Sequence, residues 1–432
     1  MNDLNDWTIT PGSTQDGIRG KIAIPPSKSH SLRAILFAML GFGVSRIHNV
    51  LDSPDINAML DAISLFGAKV ERDGTSLSIE GHFDLAKDTI DAGNSGQVLR
   101  FIGAIAALLP SYTMITGDAS IRGRRPVKPL LTALRSLGAL AESARGDGFA
   151  PITVKGPIHP GTTRLCGEDS QPVSGLLIAT SFLDGSSEIL VESPGETPWI
   201  DLTLDWIRRL GGTVTHENYS KYHVKGGLSY SGFSYTVPGD FSTAAYPIAA
   251  ALITKSHLEL TGLKPDDVQG DKELITILQS MGARIHWDEE RLIVEPSELK
   301  GLFIDINTCI DALPILAVIG CFAEDVTTLY NGKIAREKES DRISAICTEL
   351  KKMGANIKEE PDGLVVQTST LAGSELDSYR DHRIALSLAV AALGAKTPSI
   401  IHGVECANKT YPSFAKDFTA IGANIELDLI RL

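Results

Sequence analysis

The stretches LQSMGARI at 278–285 and LKKMGANI at 350–357 each read as the last turn of a helix, a glycine and the start of a strand. The same punctuation recurs in SLFGAKV, RSLGALA, RRLGGTV and TAIGANI. Its glycines, Gly67, Gly138, Gly211, Gly282, Gly354 and Gly422, stand 71, 73, 71, 72 and 68 residues apart. Fixed spacing of this kind signals an internally repeated architecture. The period is long for a solenoid unit, so each repeat is expected to be a small αβ module.

Before each glycine lies a helix with one apolar face. Ile56, Met59, Leu60, Ile63 and Phe66 illustrate it, and Val127, Leu130, Leu131, Leu134 and Leu137 repeat the spacing. This is the pattern of a helix lying on a sheet. The glycine suits the left-handed position that ends a helix and strains other residues most. A hairpin is expected to follow, as in KVERDGTSLSIEG and NIKEEPDGLVVQT, where Asp-Gly turns separate alternating residues. Upstream of each amphipathic helix lies a second helix, such as SGQVLRFIGAIAALL or IALSLAVAALGA, that is apolar nearly all round and so should be buried.

The chain ends constrain how the modules are grouped. The sixth module stops ten residues after Gly422, leaving its hairpin short of a strand, while GIRGKIAI at 17–24 is a strand without a module. That N-terminal strand is expected to complete the C-terminal half. The crossovers AIPPSK (23–28) and TVPGDFS (236–242) then mark the junctions. Two domains are expected, 1–24 with 239–432 and an inserted 25–238, with three modules each and a cleft between them.

Composition narrows the function. A net charge of −13 argues against a nucleic-acid backbone or an anionic membrane as partner, though not against a small anion in a pocket with its own field. Five cysteines without a CxxC pair suggest reduced thiols in a cytosol-like compartment. MNDLNDWTIT has no signal-peptide h-region, and ALPILAVIGCFA is too short to span a bilayer. A cytoplasmic monomer is expected.

The segments leading into the buried helices are not greasy. They read PSKSHSLR (26–33), DAGNSGQVLR (91–100), EDSQPVS (168–174), PGDFST (238–243), DINTCIDALP (305–314) and YRDHRIA (379–385). A helix N-terminus offers unpaired N–H groups and partial positive charge, and is a ready anion site. Simple capping by Ser, Asp and Asn explains any one start, but it does not require Lys28, Arg33, Arg100, Arg380 or Arg383. Two further runs are basic: SIRGRRPVKP (120–129) and GKIAREKESDRI (332–343). The second would also serve as a solvated helix start capped by Ser340. Arginine suits bidentate grip on phosphate and carboxylate, so a ligand or ligand pair rich in both is expected. There is no GxxxxGK[ST] loop and no strand-GxGxxG-helix fingerprint, which disfavours the common nucleotide sites.

PSKSHSLRA, AGNSGQVLR, DSQ (169–171), KESDR (338–342), DHR (381–383) and NKTYP (408–412), in collinear order, resemble the 3-phosphoshikimate 1-carboxyvinyltransferase (5-enolpyruvylshikimate-3-phosphate synthase) family, from about residue 16 to 417. The resemblance implies an α/β fold, a two-domain inside-out αβ barrel of six repeated modules of about 72 residues, three per domain. It also implies transfer of the enolpyruvyl group of phosphoenolpyruvate to the 5-hydroxyl of shikimate 3-phosphate, with no metal or organic cofactor. By position, Lys28, Ser29, Arg33, Ser170 and Gln171, with Asp311 and Lys338, would meet shikimate 3-phosphate. Asn94, Gly96, Arg125, Arg342, Arg383 and Lys409, with Lys28 and Gln171, would surround phosphoenolpyruvate. Asp311 would be the base for the hydroxyl, and Glu339 and Lys338 the pair handling the C3 proton, with His382 close by.

Blander roles stay open for these acids. Asp311 would serve as a helix cap, Glu339 as a partner of Arg342 or Arg336, and His382 as a satisfied buried histidine. Gln97 stands where the family usually has threonine, Leu32 where Asn or His is common, and ETPW (196–199) replaces a stretch that often carries serine and tyrosine or arginine. The sister transferase acting on UDP-N-acetylglucosamine uses a mobile-loop cysteine, and SIRGRRPVKP has none. Because the candidates come from both halves, the domains are expected to close on ligand. Small-angle scattering with shikimate 3-phosphate should show compaction; an unchanged radius counts against closure.

Overall fold

The computed structural model describes residues 4–12 and 17–430. Residues 1–3, 13–16 and 431–432, which fall within the expected domain bounds and include the near edge of the resemblance at residue 16, lie outside the described residues.

All six repeat glycines take positive φ, between 90° and 106°. Each ends its helix with the same bond pair. Gly354 N–H reaches the Lys351 carbonyl and Ala355 N–H the Leu350 carbonyl, both at 3.0 Å, and the other five stops repeat this three-back and five-back pattern. The local demand for a left-handed residue thus sets the period seen in the sequence.

Each module forms one four-stranded sheet. In the fifth, the edge strand Phe303–Asp305 runs parallel to the central strand Val326–Tyr330, and the hairpin Asn356–Glu360 and Gly363–Gln367 extends the other side antiparallel. The buried helix Leu313–Phe322 links edge to centre, and the amphipathic helix Arg342–Lys352 links centre to hairpin.

The chain divides into two units, Met1–Pro25 with Pro238–Leu432, and Pro26–Val237. In the first, the helices Phe241–Ile253, Leu313–Phe322 and His382–Leu393 pack on one another, and every residue of the last is buried. In the second, Gly96–Ala106 and Ser170–Ser181 approach so closely that a Cβ on Gly175 would lie 3.0 Å from both Ala104 Cβ and the Arg100 carbonyl.

Strands distant in sequence complete three sheets. Gly20–Ala23 runs parallel to Leu258–Thr261, pairing Ile22 with Leu260, and Ser234–Thr236 runs parallel to Gly43–His48. The sixth sheet is completed by Leu4–Thr10, antiparallel to both Ser399–His402 and Asn424–Ile430. The sequence pattern marked one N-terminal strand, at 17–24; the structure has two, in different sheets of the same unit. The polar segment LNDWTIT conceals an alternation that buries Trp7 and Ile9.

Gly354→Ala is expected to lower unfolding free energy by about 1–2 kcal/mol through backbone strain alone, because its Cβ would meet nothing nearer than the Thr370 carbonyl at 3.8 Å. Gly282→Ala should lose more, since its Cβ would stand 2.9 Å from the Glu298 carbonyl. Urea unfolding of the two variants checks the order, and equal losses would remove the steric contribution.

Candidate active site

A helix buried on all sides carries polar chemistry at least cost near its ends, because an unpaired charge along its length would lie in apolar packing. In the first unit the starts of all three buried helices are tied together by side chains. Asp381 caps His382–Leu393 by accepting the Arg383 backbone N–H at 2.9 Å. Its carboxylate also accepts Arg342 Nε–H at 2.9 Å and Ser340 Oγ–H at 3.0 Å. Arg342 donates Nη1–H to Asp311 at 2.6 Å and Nη2–H to Glu339 at 2.8 Å. Arg383 donates Nη2–H to Asp311 at 3.0 Å and to Ser242 Oγ, in the first turn of Phe241–Ile253, at 2.6 Å. Lys409 reaches the second Glu339 oxygen at 2.7 Å.

This network shows what each of its members touches. Asp311 lies in the 3-10 turn Asn307–Ala312, and the cap position of Leu313–Phe322 is Ala312, which has no side-chain cap bond. Glu339 pairs with Arg342 and Lys409. Ser340 bonds Asp381, and Asp341 caps Arg342–Lys352 instead. The run around them is not a solvated face, for Lys338, Ser340 and Arg342 are buried. His382 is buried as well, its Nδ1 3.7 Å from Asp381. Burial alone would lower the Arg342 pKa, but the charges of Asp381, Glu339 and Asp311 outweigh it and hold the guanidinium well above its ordinary value. Burial likewise opposes the charge on Arg383, and Asp311 again raises it.

The second unit gathers its three helix starts in the same way. Ser27, Ser95 and Asp169 cap Lys28–Leu40, Gly96–Ala106 and Ser170–Ser181. Gln97 Nε2–H donates to Ser29 Oγ at 3.1 Å, joining the first two starts. Arg100 joins the second to the third, reaching Gln171 Oε1 at 3.1 Å and Asp169 at 2.8 Å. Gly96 sits where a Cβ would lie 2.7 Å from Arg100 Nη1, 2.9 Å from Gln171 Oε1 and 3.1 Å from Arg125 Nη1, so these side chains crowd one backbone point.

The remaining candidates of this unit have partners of their own. Lys28 lies 3.6 Å from Asp55, and Asn94 donates to Asp118 at 2.6 Å and Ser120 at 3.2 Å. Ser170 gives both its backbone N–H and its hydroxyl to Glu196, at 3.1 and 3.3 Å, so ETPW places a carboxylate at that helix start. Arg33 is buried among neutral acceptors: Thr203 Oγ1 at 2.9 Å, the Trp199 carbonyl and the Ser29 carbonyl at 3.2 Å each. Its guanidinium also sits 5.0 Å from the Phe101 ring centre. Burial without a carboxylate pulls its pKa down to about 9, which leaves it charged at neutral pH.

Several members of these networks are not among the sequence candidates. Asp381 stands inside the DHR motif and Arg100 among the cations that capping does not require, so residue type gave a signal for both. Gln97, Glu196 and Ser242 lie in segments singled out in the sequence, but nothing local names their partners. Thr203 lies mid-helix, 170 positions from Arg33, and has no sequence signal.

Two units of three αβ modules, each gathering charged and hydroxyl-bearing helix starts, define the class of protein. Solved structures titled EPSP synthase from Acinetobacter baumannii are similar to this chain in fold. One has a TM-score of 0.81 and 27% identity over 98% of this chain and 100% of that one; another has 0.80 and 26%, over 98% and 99%. The family model described as EPSP synthase (3-phosphoshikimate 1-carboxyvinyltransferase) matches residues 13–418, and the chain belongs to that family. A 3-phosphoshikimate 1-carboxyvinyltransferase of Chlamydia caviae is 44% identical over 97% of this chain and 94% of its own. One of Acetivibrio thermocellus is 40% identical over 94% and 96%. Among the described residues, no helix is long and apolar enough to cross a membrane.

Arg342→Met is expected to lower unfolding free energy by about 3–5 kcal/mol, because it strips the cation from buried carboxylates. Arg336→Met, whose partners Asp341 and Glu359 are part-exposed, should lose only about 1 kcal/mol or less. Urea unfolding measures both, and similar losses would show that the Arg342 network adds little stability.

Proposed function

We propose that this chain transfers the enolpyruvyl group of phosphoenolpyruvate to the 5-hydroxyl of shikimate 3-phosphate, releasing phosphate, in the biosynthesis of chorismate and the aromatic amino acids. Membership of the EPSP synthase family supports the reaction. The observation that carries the assignment of residues is the Arg342 network, in which Asp311 and Glu339 share one buried guanidinium at gathered helix starts.

In this assignment Asp311 takes the proton of the 5-hydroxyl as its oxygen bonds to C2 of phosphoenolpyruvate. Glu339 and Lys338, with His382 beside them, deliver a proton to C3, giving a tetrahedral intermediate. Removal of a C3 proton and cleavage of the C2–O bond to phosphate then give the enol ether and free phosphate. Lys28, Ser29, Arg33, Ser170 and Gln171, with Asp311 and Lys338, hold shikimate 3-phosphate. Lys28, Asn94, Gly96, Arg125, Gln171, Arg342, Arg383 and Lys409 hold phosphoenolpyruvate. Substrate oxygens that bind Arg342 and Arg383 must share N–H groups now given to Asp311 and Glu339. Binding therefore frees carboxylate lone pairs for proton transfer. Arg33 offers the converse, a buried cation whose charge no carboxylate neutralises and which an anionic group would compensate.

The five cysteines are free thiols, which supports action in the cytoplasm. The enzyme acts as a monomer on two small molecules.

Phosphate release with shikimate 3-phosphate and phosphoenolpyruvate tests the assignment. Release with UDP-N-acetylglucosamine instead, or with neither acceptor, overturns it. Asp311→Asn should lower kcat by about 10²–10⁴-fold, as expected for loss of a positioned base. An unchanged kcat removes Asp311 from that role.

A further inference from the structure

The turn that delivers Asp381 and Arg383 is held in an unfavourable conformation. Tyr379 and Arg380, both non-glycine, take consecutive positive φ values of 53° and 54° immediately before the helix His382–Leu393. Such backbone persists only where its surroundings over-determine it, and it concentrates at functional sites.

Three sets of contacts fix this turn. Ser378 Oγ–H donates to the Gly403 carbonyl at 2.9 Å and accepts the Arg380 N–H at 3.1 Å. Asp377 accepts the Tyr379 N–H at 2.7 Å. The third is Glu349, a fully buried carboxylate. Its Oε2 accepts the Asp377 backbone N–H at 3.0 Å, and its Oε1 accepts the Tyr379 hydroxyl at 2.9 Å. Among the described residues its ion pair is with Lys352, part-exposed, at 2.8 Å. Burial, followed by this hydrogen bond, pushes the Tyr379 phenol up to about 12, so it remains a donor to Glu349 across the neutral range.

Glu349 lies seven residues after Arg342 on the same helix, Arg342–Lys352. That spacing puts both on one face, about 10 Å apart along the axis. One rigid helix therefore grips the 377–383 segment twice, with Arg342 on Asp381 and Glu349 on Asp377 and Tyr379.

We propose that Glu349 is a positioning residue for phosphoenolpyruvate binding. It touches no reacting group, and it holds the strained 378–380 turn so that Asp381 and Arg383 are presented in register with Arg342. The proposal rests on the assignment of Arg383 and Arg342 to phosphoenolpyruvate given above.

Two measurements on the full chain test it, one of them independent of substrate. In hydrogen exchange, Glu349→Ala and Tyr379→Phe should each speed exchange of the 377–383 amides, by about tenfold and about threefold, without equal change in the hairpin 356–367. In phosphate-release kinetics, the same variants should raise KM for phosphoenolpyruvate by about tenfold and about threefold, with KM for shikimate 3-phosphate changed by less than about twofold. Lys352→Met, which removes a part-exposed cation and leaves the Glu349 bonds to Asp377 and Tyr379, should change both measurements by less than Glu349→Ala does. Unchanged exchange at 377–383 overturns the proposal whatever the activity. So does a pair of variants that lose thermal stability yet keep KM for phosphoenolpyruvate. If Glu349→Ala does not fold, Tyr379→Phe decides alone. A wild-type chain that releases no phosphate refutes the functional assignment instead, and exchange still judges Glu349.

Discussion

Helices packed on every side leave this protein few places for charge. Along His382–Leu393 no residue is more than partly accessible, so apolar side chains and small hydroxyls are all that its length tolerates. Its first turn must therefore carry Asp381, His382 and Arg383. The other central helices also begin with polar or charged residues, although Arg33 and Arg100 lie in the second turns of Lys28–Leu40 and Gly96–Ala106, and repeating the module brings three helix starts together in each unit. Each gathering brings helix N-termini together, and their unpaired N–H groups favour negative charge before any side chain is counted.

The two gatherings balance that charge differently. In the first unit Arg342, Arg383 and Lys409 meet Asp311, Glu339 and Asp381 in direct hydrogen bonds. Cation and carboxylate are held as one network, and neither can leave without exposing the other to low-dielectric surroundings. In the second unit Arg33 bonds hydroxyl and carbonyl oxygens and lies against the Phe101 ring, while Glu196 occupies the start of Ser170–Ser181. One cluster is saturated internally, and the other keeps a cation whose charge is not locally neutralised. Two anionic substrates of different size place different demands on such surroundings.

How much could be read in advance follows from the range of each interaction. The helix stops were legible because a positive φ at Gly67, Gly138, Gly211, Gly282, Gly354 and Gly422 is a demand met within six residues. The buried helices were legible because their whole circumference is apolar. The strand at 4–10 was not, because the polar segment LNDWTIT gains its identity only from Ser399–His402 and Asn424–Ile430; the strand at 17–24 was legible, but not that it joins the sheet of Leu258–Thr261. The charged helix starts were visible from residue type. Their pairings were not, since nothing local tells Arg33 of Thr203, or Arg342 that one of its three carboxylates lies in the DHR motif.

The long-range strand pairings also order events during synthesis. The sheet built on Leu258–Thr261 must wait for residues emerging more than two hundred positions after its edge strand Gly20–Ala23, and the sheet holding Leu4–Thr10 must wait for Asn424–Ile430. Residues 26–237 have all their sheet partners within their own span and can finish while the ribosome is still adding the rest. Leu4–Thr10 and Gly20–Ala23 thus pair only after much later segments have been made. Until then Trp7 and Ile9 have no partner strand to cover them, and this nascent N-terminal segment is where chaperones would be most needed.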